Sequence, residues 1–349
     1  MKTATADKRE VKTEKNSKKN PYKQKASLFN FIIYTHEQRR IPFFQELADT
    51  VIRKFPCRII FIKGNTFQGE DDFKTEISLK TAGPIACDYI EIQAGGAHLV
   101  QVPFYILPHL EPDLPIYLLW GQDPTSESEV LPRLVKFADR LIFDSECSDK
   151  IQTFSGEMLK SLKSFPCQIL DMNWARLAGW RHVIASVMNS QDRIEMLANA
   201  KGLTITYNDH TSEAFAHTAT QADYLQAWLA TRLGWKYKSI SQDKDATIVN
   251  YDETSIRLLP RDIPAFTPGS IIGFSSSAEE GLQFNIERQE ENPRQVTVNL
   301  STNDKCWLPV TMPLLTRSKG ASFIQQLLYA HPSHHYDEML ETISNENLS

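Results

Sequence analysis

The sequence predicts an α/β protein: an N-terminal mixed, largely parallel sheet with flanking helices, followed by an α+β domain with an antiparallel sheet. Three observations predict it. Residues 114–120 form a continuous apolar run, too unbroken for an amphipathic strand, so they read as a strand buried on both faces. That run ends in Gly121-Gln122-Asp123-Pro124, a helical pattern follows over 128–139, and a second apolar strand over 140–143 ends in Asp144-Ser145. Strand, helix and strand within about thirty residues make a βαβ unit. Beyond residue 203 the texture changes to short strands with turn signals between them, as in an antiparallel sheet with helices on one face.

The order of elements follows from local spacing. Residues 28–34 read as a strand ending in Thr35-His36, and apolar residues at Phe43, Phe44, Leu47, Val51 and Ile52 give a helix over 43–54. Phe55-Pro56 stops that helix, and 57–62 is the next strand, closing a first βαβ unit. Segments 75–79 and 88–92 alternate polar and apolar residues and are expected to extend the sheet in antiparallel fashion. Pro103, Pro108, Pro112 and Pro115 fix φ and withhold amide donors, so the approach to the central strand reads as a rigid irregular connection, a type of surface suited to recognition. In an open α/β sheet the carboxyl ends of strands are where ligands meet the fold, so residues 120–123 and 144–146 are expected on one rim.

A helix over 148–163 follows, then a strand over 165–170. Asp171 is placed as N-cap of a helix running to about 188 that carries Trp174, Leu177, Trp180, Arg181 and Ile184. The two tryptophans either pack under the sheet or form part of a partner surface. The later half reads as a strand over 203–207, a helix over 212–233, six strands near 235–239, 246–250, 255–259, 270–274, 282–287 and 295–300, and a helix over 318–329. The expected domains are a disordered basic tail over 1–26, an α/β domain over 27–190 and an α+β domain over 191–349.

Charge and composition narrow the function classes. Residues 1–25 carry nine Lys/Arg against three Asp/Glu, +6, so the rest of the chain carries −11 of the net −5. The basic segment has too few apolar residues to fold alone, and the acidic body has no second basic patch with interleaved aromatics, which argues against nucleic-acid binding. No run approaches eighteen apolar residues and no hydrophobic stretch follows the N-terminal basic residues, so a cytoplasmic protein without a membrane span or signal is expected. Cys57, Cys87, Cys147, Cys167 and Cys306 are scattered and odd in number, the pattern of reduced thiols, with a regulatory pair as the alternative.

Catalytic signatures are missing. GxGxxG, GxxxxGK[ST], GxSxG and HExxH do not occur, and His331, His334 and His335 have no Cys or Asp cluster beside them, so they read as a solvated tail turn. Polar residues near predicted element ends, His36, His109, Asp113, Asp123, Asp144, Asp171 and Arg181, are ordinary caps and turn formers that could also meet a sugar or phosphate.

Several strings carry a resemblance: residues 30–36 (NFIIYTH), 55–61 (FPCRIIF), 102–104 (VPF), 107–110 (LPHL), 112–124 (PDLPIYLLWGQDP), 140–145 (RLIFDS), 173–175 (NWA) and 179–181 (GWR). They resemble the OpcA family of glucose-6-phosphate dehydrogenase assembly proteins over about 28–185, and the PDLPIYLLWGQDP string is the most specific. The resemblance implies a non-catalytic activator that binds glucose-6-phosphate dehydrogenase, promotes its active oligomer and controls carbon entry into the oxidative pentose phosphate pathway. It implies no cofactor, and some family members are redox-controlled through cysteines. The partner-binding residues expected on this basis are Pro108, His109, Pro112, Asp113, Trp120, Gln122, Asp123, Asp144, Trp174, Trp180 and Arg181. The competing expectation is an enzyme acting on a sugar phosphate, with Asp123, Asp144 or His109 as acid or base in a deep pocket at the strand ends.

Overall fold

A computed structural model describes residues 11–14, 24–65, 72–82, 85–125, 129–215, 217–252, 254–276, 281–314 and 333–346. The chain divides into two compact units. The first holds residues 1–143 and 165–169, the second 144–164 and 170–349. The division differs from the expected boundary at 190/191. Helices following the first sheet make their contacts with helices of the later half, so they belong with it.

The first sheet contains β1 (Val11–Glu14), β2 (Gln24–Lys25), β3 (Asn30–Thr35), β4 (Arg58–Asn65), β5 (Phe73–Ala82), β6 (Ile85–Gly95), β7 (Ile116–Trp120), β8 (Arg140–Phe143) and β9 (Gln168–Asp171). Its order is β1-β5-β6-β4-β3-β7-β8-β9, with β2 beside β6. Pairs β3–β4, β3–β7, β4–β6 and β7–β8 are parallel, while β5 runs antiparallel to β6 and β1. This is the expected mixed sheet with an antiparallel extension, and β7 lies inside it, with Leu118, Leu119 and Trp120 fully buried. Helix α1 (Ile41–Lys54) covers one face through Phe44, Leu47, Ala48, Val51 and Ile52. Two of the strands fall within the segment expected to be a disordered tail. Backbone pairing supplies what that segment's side chains lack, and Lys25 adds an ion pair to Asp88 at 2.6 Å.

Between β6 and β7 the chain makes a 3-10 turn, a short helix α2 (Val102–Ile106) and another 3-10 turn at Leu107–His109. The helix expected over 128–139 shrinks to α3 (Leu131–Leu134) and a 3-10 turn at Val135–Phe137. Pro132 sits in its first turn, where a preceding helical turn would clash with the ring.

In the second unit, α4 (Ile151–Ser164) is followed by α5 (Met172–Arg176) and α6 (Ala178–Val187), which break at Leu177 where one helix was expected. Asp171 caps α5 as expected, its Oδ1 accepting from the amides of Asn173 at 2.6 Å and Trp174 at 3.0 Å. Helix α7 (Gln191–Ala198), capped by Ser190, was not anticipated. The helix expected from 212 begins only at Thr220, as α8 (Thr220–Leu233), because the Ser212 hydroxyl accepts from the Ala214 amide and turns the chain first.

The second sheet orders β11-β12-β13-β10-β14-β15-β16-β17. Its strands are β10 (Gly202–Asn208), β11 (Tyr237–Asp243), β12 (Ala246–Tyr251), β13 (Ser255–Arg261), β14 (Ile271–Ser276), β15 (Gln283–Arg288), β16 (Gln295–Ser301) and β17 (Val310–Pro313). All described pairs are antiparallel except β10–β13. Alternation buries one face: Leu203, Ile205, Ile256, Leu258, Phe274, Phe284 and Ile286 point into the core that α8 covers. Helix α9 (His334–Asn345) lies against α4 and α8 and buries Tyr336, Met339, Leu340 and Ile343. His334 and His335, expected in a tail turn, are therefore corrected to the start of a helix, and His331 lies outside the described residues. The helix expected over 318–329 lies outside the described residues. Among the described residues no helix is long and apolar enough to cross a membrane, and no group of three His, Cys, Asp or Glu could hold a metal.

Candidate functional site

Strand order reverses direction about β3, flanked by the parallel β4 and β7, and a ligand of an open α/β sheet would enter at that switch point. Here the crevice is filled from within the unit. The Tyr34 and Trp120 rings stack at 4.4 Å and 4°, and both side chains are buried. A Cβ on Gly121 would stand 2.5 Å from the Phe44 ring, and one on Gly64 would stand 2.9 Å from the Tyr34 hydroxyl. Thr35 Oγ1 donates to Gly121 O at 3.2 Å, and Gln122 Oε1 accepts from the His36 amide at 3.2 Å. The connection from β3 to α1 runs through Glu37-Gln38-Arg39-Arg40, without a glycine to admit a phosphate, and Arg40 lies over the Phe43 and Phe44 rings at 5.2 and 5.1 Å.

An exposed apolar face lies elsewhere on the same unit. Alternation along β5 puts Phe73, Ile77 and Leu79 on one face, and they are 42%, 56% and 39% exposed. Phe73 meets the Tyr105 ring of α2 at 4.2 Å, and Tyr105 is fixed by hydrogen bonds to His98 Nδ1 at 2.7 Å and Gln101 Oε1 at 2.6 Å. Phe104 and Leu107, three apart on the helical segment, are exposed next to Tyr105. The segment that follows is pinned to the sheet. Arg58 Nη1 donates to His109 O at 2.9 Å, and Arg58 Nη2 pairs with Asp88 at 2.6 Å and Glu111 at 2.9 Å. Asn30 accepts from the Glu111 amide at 2.8 Å and donates to Glu111 O at 3.1 Å and Leu114 O at 3.3 Å. The Tyr105 side chain and the backbone of 109–114 are thus held in place before any partner arrives, which lowers the entropy cost of ordering them on binding.

The residues expected to bind a partner fall into two groups. Pro108, Pro112 and Asp113 are exposed and belong to the pinned segment, Asp113 in the left-handed region at φ 64. His109 is half-buried, and burial, then Arg58, lowers its pKa. Asp123 is half-exposed and closes its own turn by accepting from the Thr125 amide and hydroxyl. In contrast Trp120, Gln122, Asp144, Trp174 and Trp180 are buried, which removes them as direct contacts: their side chains fill cores or satisfy internal groups. Arg181 lies 3.5 Å over the Trp174 ring and donates to Trp174 O at 2.7 Å, so it is a packing cation. Trp120 and Phe143 are cross-strand partners, while Asp144 and Glu146 belong to the second unit.

There the acids are internal. Asp144 and Glu146 face Arg176 at 3.6 and 3.5 Å. Asp171 accepts from Ser145 at 3.1 Å, Tyr224 at 3.1 Å and Tyr336 at 3.3 Å besides its two amides, and burial pushes its pKa up to about 6. With its lone pairs so engaged it ties α5, α8 and α9 together and faces no open pocket among those described. Of the thiols, Cys57, Cys87 and Cys147 are buried, and burial pushes the Cys57 and Cys87 pKa values up, the opposite of an activated thiolate. Sequence reasoning missed Phe73, Ile77, Phe104 and Leu107. Phe104 and Leu107 stand in the VPF and LPHL strings and Ile77 on the alternating segment 75–79, but nothing in the sequence shows that these side chains are left uncovered.

Known proteins agree with the fold and identify the lineage. The solved structures of the oxidoreductase yvaA from Bacillus subtilis and the 3-ketoreductase KijD10 from Actinomadura kijaniata are similar at 8% and 9% identity, each with a TM-score of 0.51. They cover 93% and 92% of this chain and 97% and 96% of theirs, a likeness of fold alone. Proteins named OxPP cycle protein OpcA match more closely in sequence. The one from Synechococcus elongatus is 25% identical over 65% of this chain and 52% of its own length, and that from Synechocystis 29% over 56% and 41%. The chain spans about half the length of these curated relatives. The family model for the glucose-6-phosphate dehydrogenase subunit N-terminal domain matches residues 48–160, and that for its C-terminal domain matches 167–340. Together these matches run through both units, and the chain belongs to the OpcA family, the glucose-6-phosphate dehydrogenase assembly proteins.

Proposed function

We propose that this chain is a non-catalytic, cytoplasmic assembly factor that binds glucose-6-phosphate dehydrogenase and promotes its active oligomer, so controlling entry into the oxidative pentose phosphate pathway. The observation that carries the reading is the set of exposed apolar side chains Phe73, Ile77, Leu79, Phe104 and Leu107 on one unit, with Phe73 against Tyr105. An effector shifts an equilibrium only by binding one arrangement of its target more tightly, which needs a broad surface with a few large anchors. Exposed aromatic and aliphatic side chains gathered on one unit suit that task. The sugar-phosphate enzyme would need an open pocket at the strand ends, and there even a Cβ on Gly121 would stand 2.5 Å from the Phe44 ring.

Phe104→Glu tests the reading. Phe104 is 64% exposed, so the variant folds, and its affinity for the dehydrogenase should drop at least about 30-fold if the face is a central anchor. Wild-type affinity in Phe104→Glu and Leu107→Glu alike would remove the face from the interface.

A further inference from the structure

Helix α9 closes the second unit without being a strand of its sheet. It lies on α4 and α8 through Tyr336, Met339, Leu340 and Ile343, none more than 3% exposed. A polar tie stands at each end. At the first turn the Tyr336 hydroxyl donates to Asp171 Oδ2 at 3.3 Å, and the Tyr224 hydroxyl donates to the same oxygen at 3.1 Å. Just past the last turn, Glu346 Oε1 accepts from Gln226 Nε2 of α8 at 2.9 Å.

The second tie holds an acid in a place that suits only its neutral form. Glu346 is 8% exposed, and the titratable groups facing it are Asp223 of α8, another acid, and Tyr251 of β12. Tyr251 has one proton to give and donates it to Gln226 Oε1, leaving Glu346 Oε1 at 3.4 Å from the hydroxyl. A charge on Glu346 would thus be buried with one donor and an acid beside it. Burial therefore pushes its pKa from 4.5 up to about 8. Once the helix leaves, the carboxyl is in water and ionises as usual, so opening releases a proton.

Other groups around α9 act elsewhere in the pH range or on its exposed side. Asp171, which faces Tyr336, Tyr224 and Asp144, is pushed up to about 6 by burial. Asp223 is pushed up to about 7, and its charge adds to the cost of a charge on Glu346. His334 and His335 are exposed and pair with Glu338 of the same helix, His335 also meeting Arg232 of α8 at 3.3 Å, while Asp337 and Glu341 complete the acids of α9. On the α4 side, Gly156 faces Ser344.

We propose that α9 is a clasp that opens from α4 and α8 as one element, ahead of the rest of the second unit, and opens more often as pH rises from 6 to 8. Cooperative opening of a single docked helix is a known mode of sub-global unfolding. With the carboxyl ionising near 4.5 when free and near 8 when docked, the open fraction rises about 50-fold over those two pH units.

Hydrogen exchange of the full chain at pH 6, 7 and 8, corrected for the intrinsic pH dependence of amide exchange, tests the clasp. Amides of 338–345 should be at least about tenfold less protected than those of β13 and β14 at each pH. Their protection should fall about 50-fold from pH 6 to 8, and in Glu346→Gln by less than about fivefold. His334→Gln with His335→Gln should keep the fall, and Tyr336→Phe should lower protection of α9 at all three pH values without changing the slope. Equal protection of α9 and of β13 and β14 would overturn separate opening. A fall that persists in Glu346→Gln, or that the histidine variant abolishes, would overturn the part assigned to Glu346.

Discussion

Replacing Glu346 by Gln should make the second unit more stable, and increasingly so as pH rises. Glu346 follows α9, is 8% exposed, and accepts from Gln226 Nε2 at 2.9 Å, while the Tyr251 hydroxyl donates to Gln226 Oε1. Burial pushes its pKa from 4.5 up to about 8, with Asp223 adding to the rise and the hydrogen bonds from Gln226 and Tyr251 opposing it. The sign follows from linkage. In the unfolded chain the carboxyl ionises near 4.5, whereas in the folded unit it keeps its proton until about 8, so stability is full below 4.5 and is lost as pH rises to 8. At about 1.36 kcal/mol per pKa unit the loss is on the order of 5 kcal/mol. Gln cannot ionise, keeps an oxygen for Gln226 and offers an amide in place of the acid proton. Urea unfolding followed by tryptophan fluorescence should give wild type and Glu346→Gln similar stabilities at pH 5. At pH 9 the variant should be ahead by several kcal/mol. A difference that does not change with pH would refute the assignment of a buried neutral acid.

Two further substitutions probe the first unit. Gly121→Ala places a methyl 2.5 Å from the Phe44 ring, so the unit should lose about 1–3 kcal/mol by overpacking, read as a lower urea midpoint at unchanged slope. Asn30→Ala removes a fully buried amide that makes three hydrogen bonds to the backbone of Glu111 and Leu114. It should cost about 2–3 kcal/mol and speed amide exchange over 107–115, and unchanged exchange there would show that Asn30 does not hold that segment.

The fold class was legible where period and length agree. Residues 114–120 and 140–143 lie in a layered parallel sheet, so both faces are apolar and the run is unbroken; β13, β15 and β16 alternate because only one face is covered. Element lengths were less legible because they depend on single residues acting through the backbone. Pro132 shortened one helix and Ser212 delayed another. Helix α9 is legible too: Tyr336, Met339, Leu340 and Ile343 stand at helical spacing, although the histidines before them give a turn signal. The candidate site was legible only in part. Motif strings marked β7 and its flanks, but Trp120, Trp174 and Trp180 within them fill cores. The exposed face is assembled from β5 and the segment around α2, separated in sequence and joined through the Phe73–Tyr105 contact.

The most direct measurement is glucose-6-phosphate dehydrogenase activity titrated with the purified chain, with the mass of the mixture followed by light scattering. A saturable rise in activity at a defined stoichiometry, together with a co-complex that contains a larger dehydrogenase oligomer, is expected. No complex and no change in activity, under both reducing and oxidising conditions, would contradict it.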